Sequence, residues 1–221
     1  MRSLMSIFLL SLIADTASGH GGGLDSNGGH FNRKTGEYHC HREPCFSNRE
    51  QVIEATVEAE KQGISFSTRY DRDEWRHWID TDGDCQNTRA EILIQDSLEP
   101  VSFGSQDSCR VIRGRWLLPY TGGTVTNARQ LDIDHIVPLK WAHGHGGDRW
   151  DTAKKTEFAN DPENLLPVWS SANRSKGSKG PDQWMPTINR CEYAEPWQRI
   201  IEKYELLVIR PEKEALKLAC E

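Results

Sequence analysis

The sequence predicts an α+β chain: a short strand–loop–strand–helix core set in a mostly helical, disulfide-stapled domain, preceded by a small Gly/His-rich module. Three observations predict it. Apolar alternation over Leu131–Val137 marks one strand, 164–168 reads as a second, and a helical stretch from Ser170 to Lys176 follows it. The C-terminal 196–220 carries apolar residues at helical spacing. Six cysteines stand in a chain whose first residues read as an export signal.

That signal occupies residues 1–19. Arg2 supplies the positive start, Leu4–Ala14 the apolar stretch, and Ala17-Ser18-Gly19 the small residues that precede cleavage before His20. No apolar run outside this segment is long enough to span a bilayer, and the chain is expected to be secreted or periplasmic. The cysteines agree with export. Local closure favours Cys85–Cys109 and Cys191–Cys220, leaving Cys40 and Cys45 as a short disulfide loop or as part of a metal site. Fifteen pairings exist on paper, and spacing alone does not choose among them.

Residues 20–46, HGGGLDSNGGHFNRKTGEYHCHREPC, form a separate module with too few apolar residues to bury a core. His30, His39 and His41, with His20, Asp25, Cys40 or Cys45, offer borderline ligands suited to Zn²⁺; the alternative is a Gly-rich linker closed by a Cys40–Cys45 bond. Residues 47–221 are read as one domain. Within it, 47–62 reads as a helix capped by Ser47 and stopped by Gly63. Tyr70, Trp75, Trp78 and Ile79 read as packing residues. Thr88-Arg89-Ala90-Glu91 reads as a capping box opening a helix to about Leu98. Residues 109–118 read as a strand and Pro119–Gly123 as a turn. The stretch from Lys140 to Asn160 reads as a long loop, with Lys154 and Lys155 as candidate phosphate contacts. The C-terminal helix is expected from Pro196, interrupted at Pro211.

A net charge of −6 does not announce a nucleic-acid binder. From Arg110 to Gly180, however, eleven Lys or Arg stand against seven Asp or Glu. Charge therefore permits such a partner without arguing for it. Asp80, Asp82 and Asp84, with Glu91 twelfth from Asp80, imitate a Ca²⁺ loop, but Cys85 stands where that loop needs Gly.

The chemistry concentrates in LDIDHIVPLKWAHG and NDPENLLPVWSSANRSKGSKGPDQW. Asp134 beside His135 puts a hard oxygen ligand next to an imidazole able to act as a neutral base. Neighbouring strand residues face opposite ways, so both reach one site only through a bend, with which Pro138 is consistent. Asn164 opens the second strand, and Asn173 on the helix can offer an amide oxygen to the same cation. His143 and His145 read as loop histidines, and Asp132 as a supporting residue.

These stretches resemble the HNH (ββα-metal) nucleases, specifically the branch that shares its motif with the C-terminal domain of GmrSD restriction enzymes. The pattern DIDHIVP…NL…NRSKG is also similar to the HNH domain of RNA-guided CRISPR nucleases. The motif covers 131–184, and a weaker likeness to exported members runs from Arg69 to Cys220 through RDEWRHWIDTDGDCQNTR. The N-terminal module is similar to GGH…RKTG…YHCH (YHYH-like) modules of exported bacterial proteins. The HNH resemblance implies His135 as general base, Asp134 and Asn173 as ligands of one Mg²⁺ (or Mn²⁺), Asn164 as the residue holding the base through backbone bonds, and Lys176 as a cation next to the phosphate. It implies a secreted endonuclease cutting DNA, with RNA a second candidate, at little sequence specificity, and leaving 5′-phosphate and 3′-hydroxyl ends. Two rivals remain: a sequence-specific, restriction-like nuclease, and a metal-binding envelope protein in which the motif is degenerate.

Overall fold

The computed structural model describes residues 28–31, 38–43, 45–47, 50, 54, 58, 61 and 70–221. The expected export signal and most of the expected helix over 47–62 lie outside them; Glu50, Glu54, Glu58 and Lys61 are helical. In the N-terminal module, β1 (Gly29–Phe31) pairs antiparallel with β2 (Tyr38–Cys40), placing His30 opposite His39. Both disulfides favoured by local closure, Cys85–Cys109 and Cys191–Cys220, are formed, and Cys40 and Cys45, left open between a disulfide and a metal site, are bonded to each other. Cys40 and Cys45 are therefore not thiolate ligands for zinc.

Six further helices and five further strands make up 70–221 among the described residues. Helix α1 (Thr88–Gln95) is capped by Asn87, whose side chain accepts from the Ala90 N–H. The cap expected at Thr88 is thus one residue late, because the Thr88 hydroxyl is used elsewhere, 3.0 Å from the Ile79 carbonyl and 2.8 Å from Asn160 Oδ1. Strands β3 (Ser102–Phe103), β4 (Val111–Leu117) and β5 (Thr124–Asn127) form an antiparallel sheet in that order. The turn between β4 and β5 is Pro119–Gly123, where Gly122 and Gly123 both adopt positive φ, a conformation that a Cβ disfavours.

Strand β6 (Leu131–His135) pairs antiparallel with β7 (Leu165–Trp169), with His135 opposite Leu165. Helix α4 (Ser170–Lys176) follows directly and ends at Gly177, whose φ is 56°. The connection between the strands is not a loop. It contains α2 (Leu139–Gly144), α3 (Thr152–Asn160) and short 3-10 turns at Gly147–Arg149 and Pro162–Asn164. His143 and His145 are correspondingly buried. Lys155 is also buried, paired with Glu74 at 2.6 Å, and Lys154 lies over the Trp150 ring. Lys155 is therefore not a phosphate contact.

Two apolar clusters flank the β6–β7 hairpin. Ile133, Leu131 and Leu165 join Ile92, Leu93 and Trp116 on one side. Val137, Val168 and Ala172 join Trp75, Trp141, Phe158 and Trp197 on the other. Burying a large apolar side chain contributes about 1.5–3 kcal/mol, so the hairpin is held from both faces. The C-terminal helices are α5 (Arg190–Tyr204) and α6 (Arg210–Leu218). α5 begins six residues before Pro196, because Tyr193, Ala194, Trp197, Ile200 and Tyr204 form one buried stripe along it. Pro211 opens α6 rather than interrupting a helix.

Candidate active site

Strand β6 delivers Asp134 and His135 to one end of the hairpin. A cleft of about 370 Å³ there is lined by Ile133, Asp134, His135, Asn173 and Arg174, and also by Tyr70, Arg72 and Lys140. Since residues from both faces of β6 line it, the cleft crosses the end of the strand, and consecutive side chains reach it together. Sequence reasoning placed Asp134, His135 and Asn173 at one site, and all three border this cleft.

His135 is buried and its Nε2 lies 2.9 Å from the Ala159 carbonyl at the end of α3. A carbonyl oxygen only accepts, so Nε2 carries the hydrogen and the neutral ring keeps its lone pair on Nδ1. Burial lowers the ring's pKa from 6.5 to about 3; the bond to Ala159 works against this, while Arg72, Lys176 and His77 add to it. The neutral base form is thus the resident form. Trp78 and His77 stand against the ring at centroid distances of 5.7 and 6.5 Å. Trp78 sits at φ 60°, a strained conformation for a bulky residue.

Asn164 is fully buried behind His135. Its Oδ1 accepts from the Val137 N–H at 2.8 Å, its Nδ2 donates to the Val137 carbonyl at 3.2 Å, and its carbonyl accepts from the Ile136 N–H at 2.9 Å. It therefore fixes the backbone immediately after the imidazole.

The Asp134 carboxylate is buried and bonded at both oxygens. Lys176 Nζ reaches Oδ1 at 3.0 Å, and the Tyr120 hydroxyl donates to Oδ2 at 2.8 Å. Burial pushes the Asp134 carboxyl upward, opposed by Lys176 and Tyr120; burial pushes the Lys176 ammonium downward, opposed by Asp134. Lys176 also donates to the His135 carbonyl at 2.8 Å and is fully enclosed. It does not line the cleft, so its charge acts on Asp134 rather than directly on an incoming anion.

Asn173 donates from Nδ2 to Asp132 Oδ2 at 3.1 Å, and Ser170 donates to Asp132 Oδ1 at 3.1 Å. With its amide nitrogen tied back, Asn173 keeps Oδ1 as an available acceptor. A buried carboxylate already balanced by a cation and a fixed amide oxygen make a donor set suited to a hard divalent ion. Arg72, Lys140 and Arg174 add positive charge around the cleft, as an anionic substrate requires. Sequence reasoning missed Tyr120, Arg72 and Trp78 as site residues. Trp78 reads from the sequence only as a packing residue, Arg72 lies in the RDEWRHWIDTDGDCQNTR stretch without being singled out, and Tyr120 belongs to a stretch read only as a turn.

The other candidate ligands stand apart. Asp80, Asp82 and Asp84 are exposed, and each can bring an oxygen within 4.8 Å of the others. Their oxygens already accept from the loop: Asp80 from the Gly83 and Cys85 N–H groups, Asp82 from the Asp84 N–H and Asp84 from the Gln86 N–H.

The family model described as GmrSD restriction endonucleases, C-terminal domain, matches residues 88–217, more than half of the chain. A protein of Arthroderma benhamiae described as an uncharacterized secreted protein is 39% identical over 151 residues, covering 66% of this chain and 72% of its own. No solved structure matches. The chain belongs to the GmrSD C-terminal-domain family of restriction endonucleases.

Proposed function

We propose that this chain is an exported HNH-type (ββα-metal) endonuclease that hydrolyses phosphodiester bonds of DNA, and of RNA as a second substrate, with little sequence specificity. One hard divalent cation, Mg²⁺ or Mn²⁺, would be held by Asp134 and Asn173. The observation that carries the reading is the hydrogen bond from His135 Nε2 to the Ala159 carbonyl, because it leaves the lone pair on Nδ1 of a ring that lines the same cleft as Asp134 and Asn173. Membership in a restriction endonuclease family supports a nucleic-acid substrate. Three disulfides and a relative described as secreted support export.

In this mechanism His135 Nδ1 takes a proton from water as the oxygen attacks phosphorus. A base held at about 3 accepts protons poorly, but a phosphodiester anion beside the ring raises its proton affinity. Asn164 keeps the ring in place by clamping Val137. Arg72, Lys140 and Arg174 attract and orient the backbone phosphates. A bound divalent ion would neutralise charge growing on the phosphoryl and leaving oxygens. Cleavage leaves 5′-phosphate and 3′-hydroxyl ends.

Incubation of the folded protein with plasmid DNA and with RNA, in Mg²⁺, in Mn²⁺ and in chelator, tests the reading. Metal-dependent degradation that His135→Ala abolishes is the expected result. A folded His135→Ala protein with undiminished, metal-dependent cleavage removes His135 as the base.

A further inference from the structure

We infer that Tyr120 is a positioning residue for the cation site, its hydroxyl fixing the Asp134 carboxylate in the orientation that presents an oxygen to a divalent ion. The inference rests on the proposed nuclease reading and extends it to an element outside the strand–strand–helix motif.

Tyr120 stands in the turn between β4 and β5, eleven residues before β6 begins. It is buried, and its hydroxyl lies 2.8 Å from Asp134 Oδ2. A carboxylate can only accept, so the phenol donates and Asp134 is held from the side opposite Lys176. The turn is itself braced. Asn189 donates to the Pro119 carbonyl at 3.0 Å, and the Tyr120 ring meets Trp184 and Tyr193 edge-on at 5.4 and 5.3 Å. Two separate parts of the chain therefore fix where the hydroxyl sits.

The two partners of Asp134 differ in kind. Lys176 brings a full charge that a divalent ion would have to share or displace. Tyr120 brings a neutral donor that leaves the carboxylate's charge in place while stopping its rotation. Without that donor, Oδ2 loses its bond inside a nearly closed site and the carboxylate can turn away from Asn173. Hydrogen-bond partners of ligating carboxylates influence metal affinity strongly for this reason.

The experiment titrates the full folded chain with Mn²⁺ by calorimetry and follows plasmid cleavage against Mn²⁺ concentration. Tyr120→Phe keeps the ring and its edge contacts. Its Mn²⁺ dissociation constant is expected to rise about tenfold or more. The Mn²⁺ needed for half-maximal cleavage should rise in step, while cleavage at saturating Mn²⁺ recovers. Tyr193→Phe, which removes a hydroxyl that makes no hydrogen bond to Asp134, should bind Mn²⁺ like the wild type. If Tyr120→Phe does not fold, Tyr120→Gln and Tyr120→Leu, close in volume, separate the donor from bulk: Gln must bind Mn²⁺ more tightly than Leu. Equal affinity within that pair, or an unchanged constant in Tyr120→Phe with a cleaving wild type, overturns the role of Tyr120 alone. A wild type that neither binds Mn²⁺ nor cleaves removes the nuclease reading and this inference with it.

Discussion

Lys176 Nζ lies 3.0 Å from Asp134 Oδ1, and both side chains are buried. The acid precedes its base by 42 positions, and helix α4 carries the ammonium under the strand to meet it. An ion pair out of water is strongly destabilised when one member is removed, since the other keeps its desolvation cost. Lys176→Met is expected to lower the stability of the metal-free protein by about 3–5 kcal/mol in urea unfolding. A loss well under 1 kcal/mol would show that Asp134 is not charged in the folded state.

Asn164 makes two side-chain hydrogen bonds to Val137 with no exposure to solvent. Asn164→Ala leaves a buried N–H and a buried carbonyl without partners, a cost of about 1–3 kcal/mol each. The imidazole's position is lost with them. A folded variant should cleave about a hundredfold more slowly at saturating metal, as expected of a misplaced base. Single-turnover cleavage at wild-type rate would place the support of His135 elsewhere.

Asp132 orients Asn173 through the 3.1 Å bond to its Nδ2. In Asp132→Ala the amide is free to rotate, and the Mg²⁺ needed for half-maximal cleavage should rise about tenfold or more. An activation curve that superimposes on the wild type's would count against Asn173 as a ligand.

His135 is held at about 3 against an ordinary 6.5. Between those values the unfolded chain binds a proton that the folded chain does not. Stability of the metal-free protein from this group therefore rises with pH through that window and is lost as pH falls from 6.5 towards 3. The slope approaches about 1.4 kcal/mol per pH unit. Unfolding in chelator at pH 7 and pH 5, compared between wild type and His135→Asn, isolates the contribution. Identical pH slopes in the two proteins would mean that the ring titrates normally in the fold.

Cys191–Cys220 closes a separation of 29 residues, spanning α5 and α6. Replacing both cysteines by Ala should lower stability by about 3–4 kcal/mol through the freed unfolded chain. Thermal melts of the purified variant measure it, and an unchanged midpoint would deny the bond its stapling role.

The parts of this molecule written locally were legible. Strand β6 announces itself by period-two apolar residues, β7 by a short apolar run, and α4 by the glycine that ends it. Asp134, His135 and Asn173 follow from their places on those elements. What could not be read depends on partners far along the chain. Helix α2 has only six residues in a glycine- and histidine-rich stretch, and it is anchored by Glu212, which accepts from Trp141 at 2.8 Å and pairs with His145 at 3.0 Å. No window around residue 141 contains that information. Tyr120 is similar, since nothing in PYTGG says that its hydroxyl meets a carboxylate in the next hairpin. The misplaced cap at Thr88 has the same origin, because Asn160 claims its hydroxyl from 72 residues away.

The anchoring of α2 by Glu212 bears on the order in which the protein can be assembled. Glu212 follows Trp141 by 71 positions and His145 by 67. While a ribosome still holds the stretch that becomes α6, the indole and the imidazole lack their shared carboxylate. The short helix bearing Lys140 then rests on its apolar packing alone, without its polar anchor. A growing chain can thus carry every residue of the cleft and still not have built its rim, which waits for the arrival of the last helix.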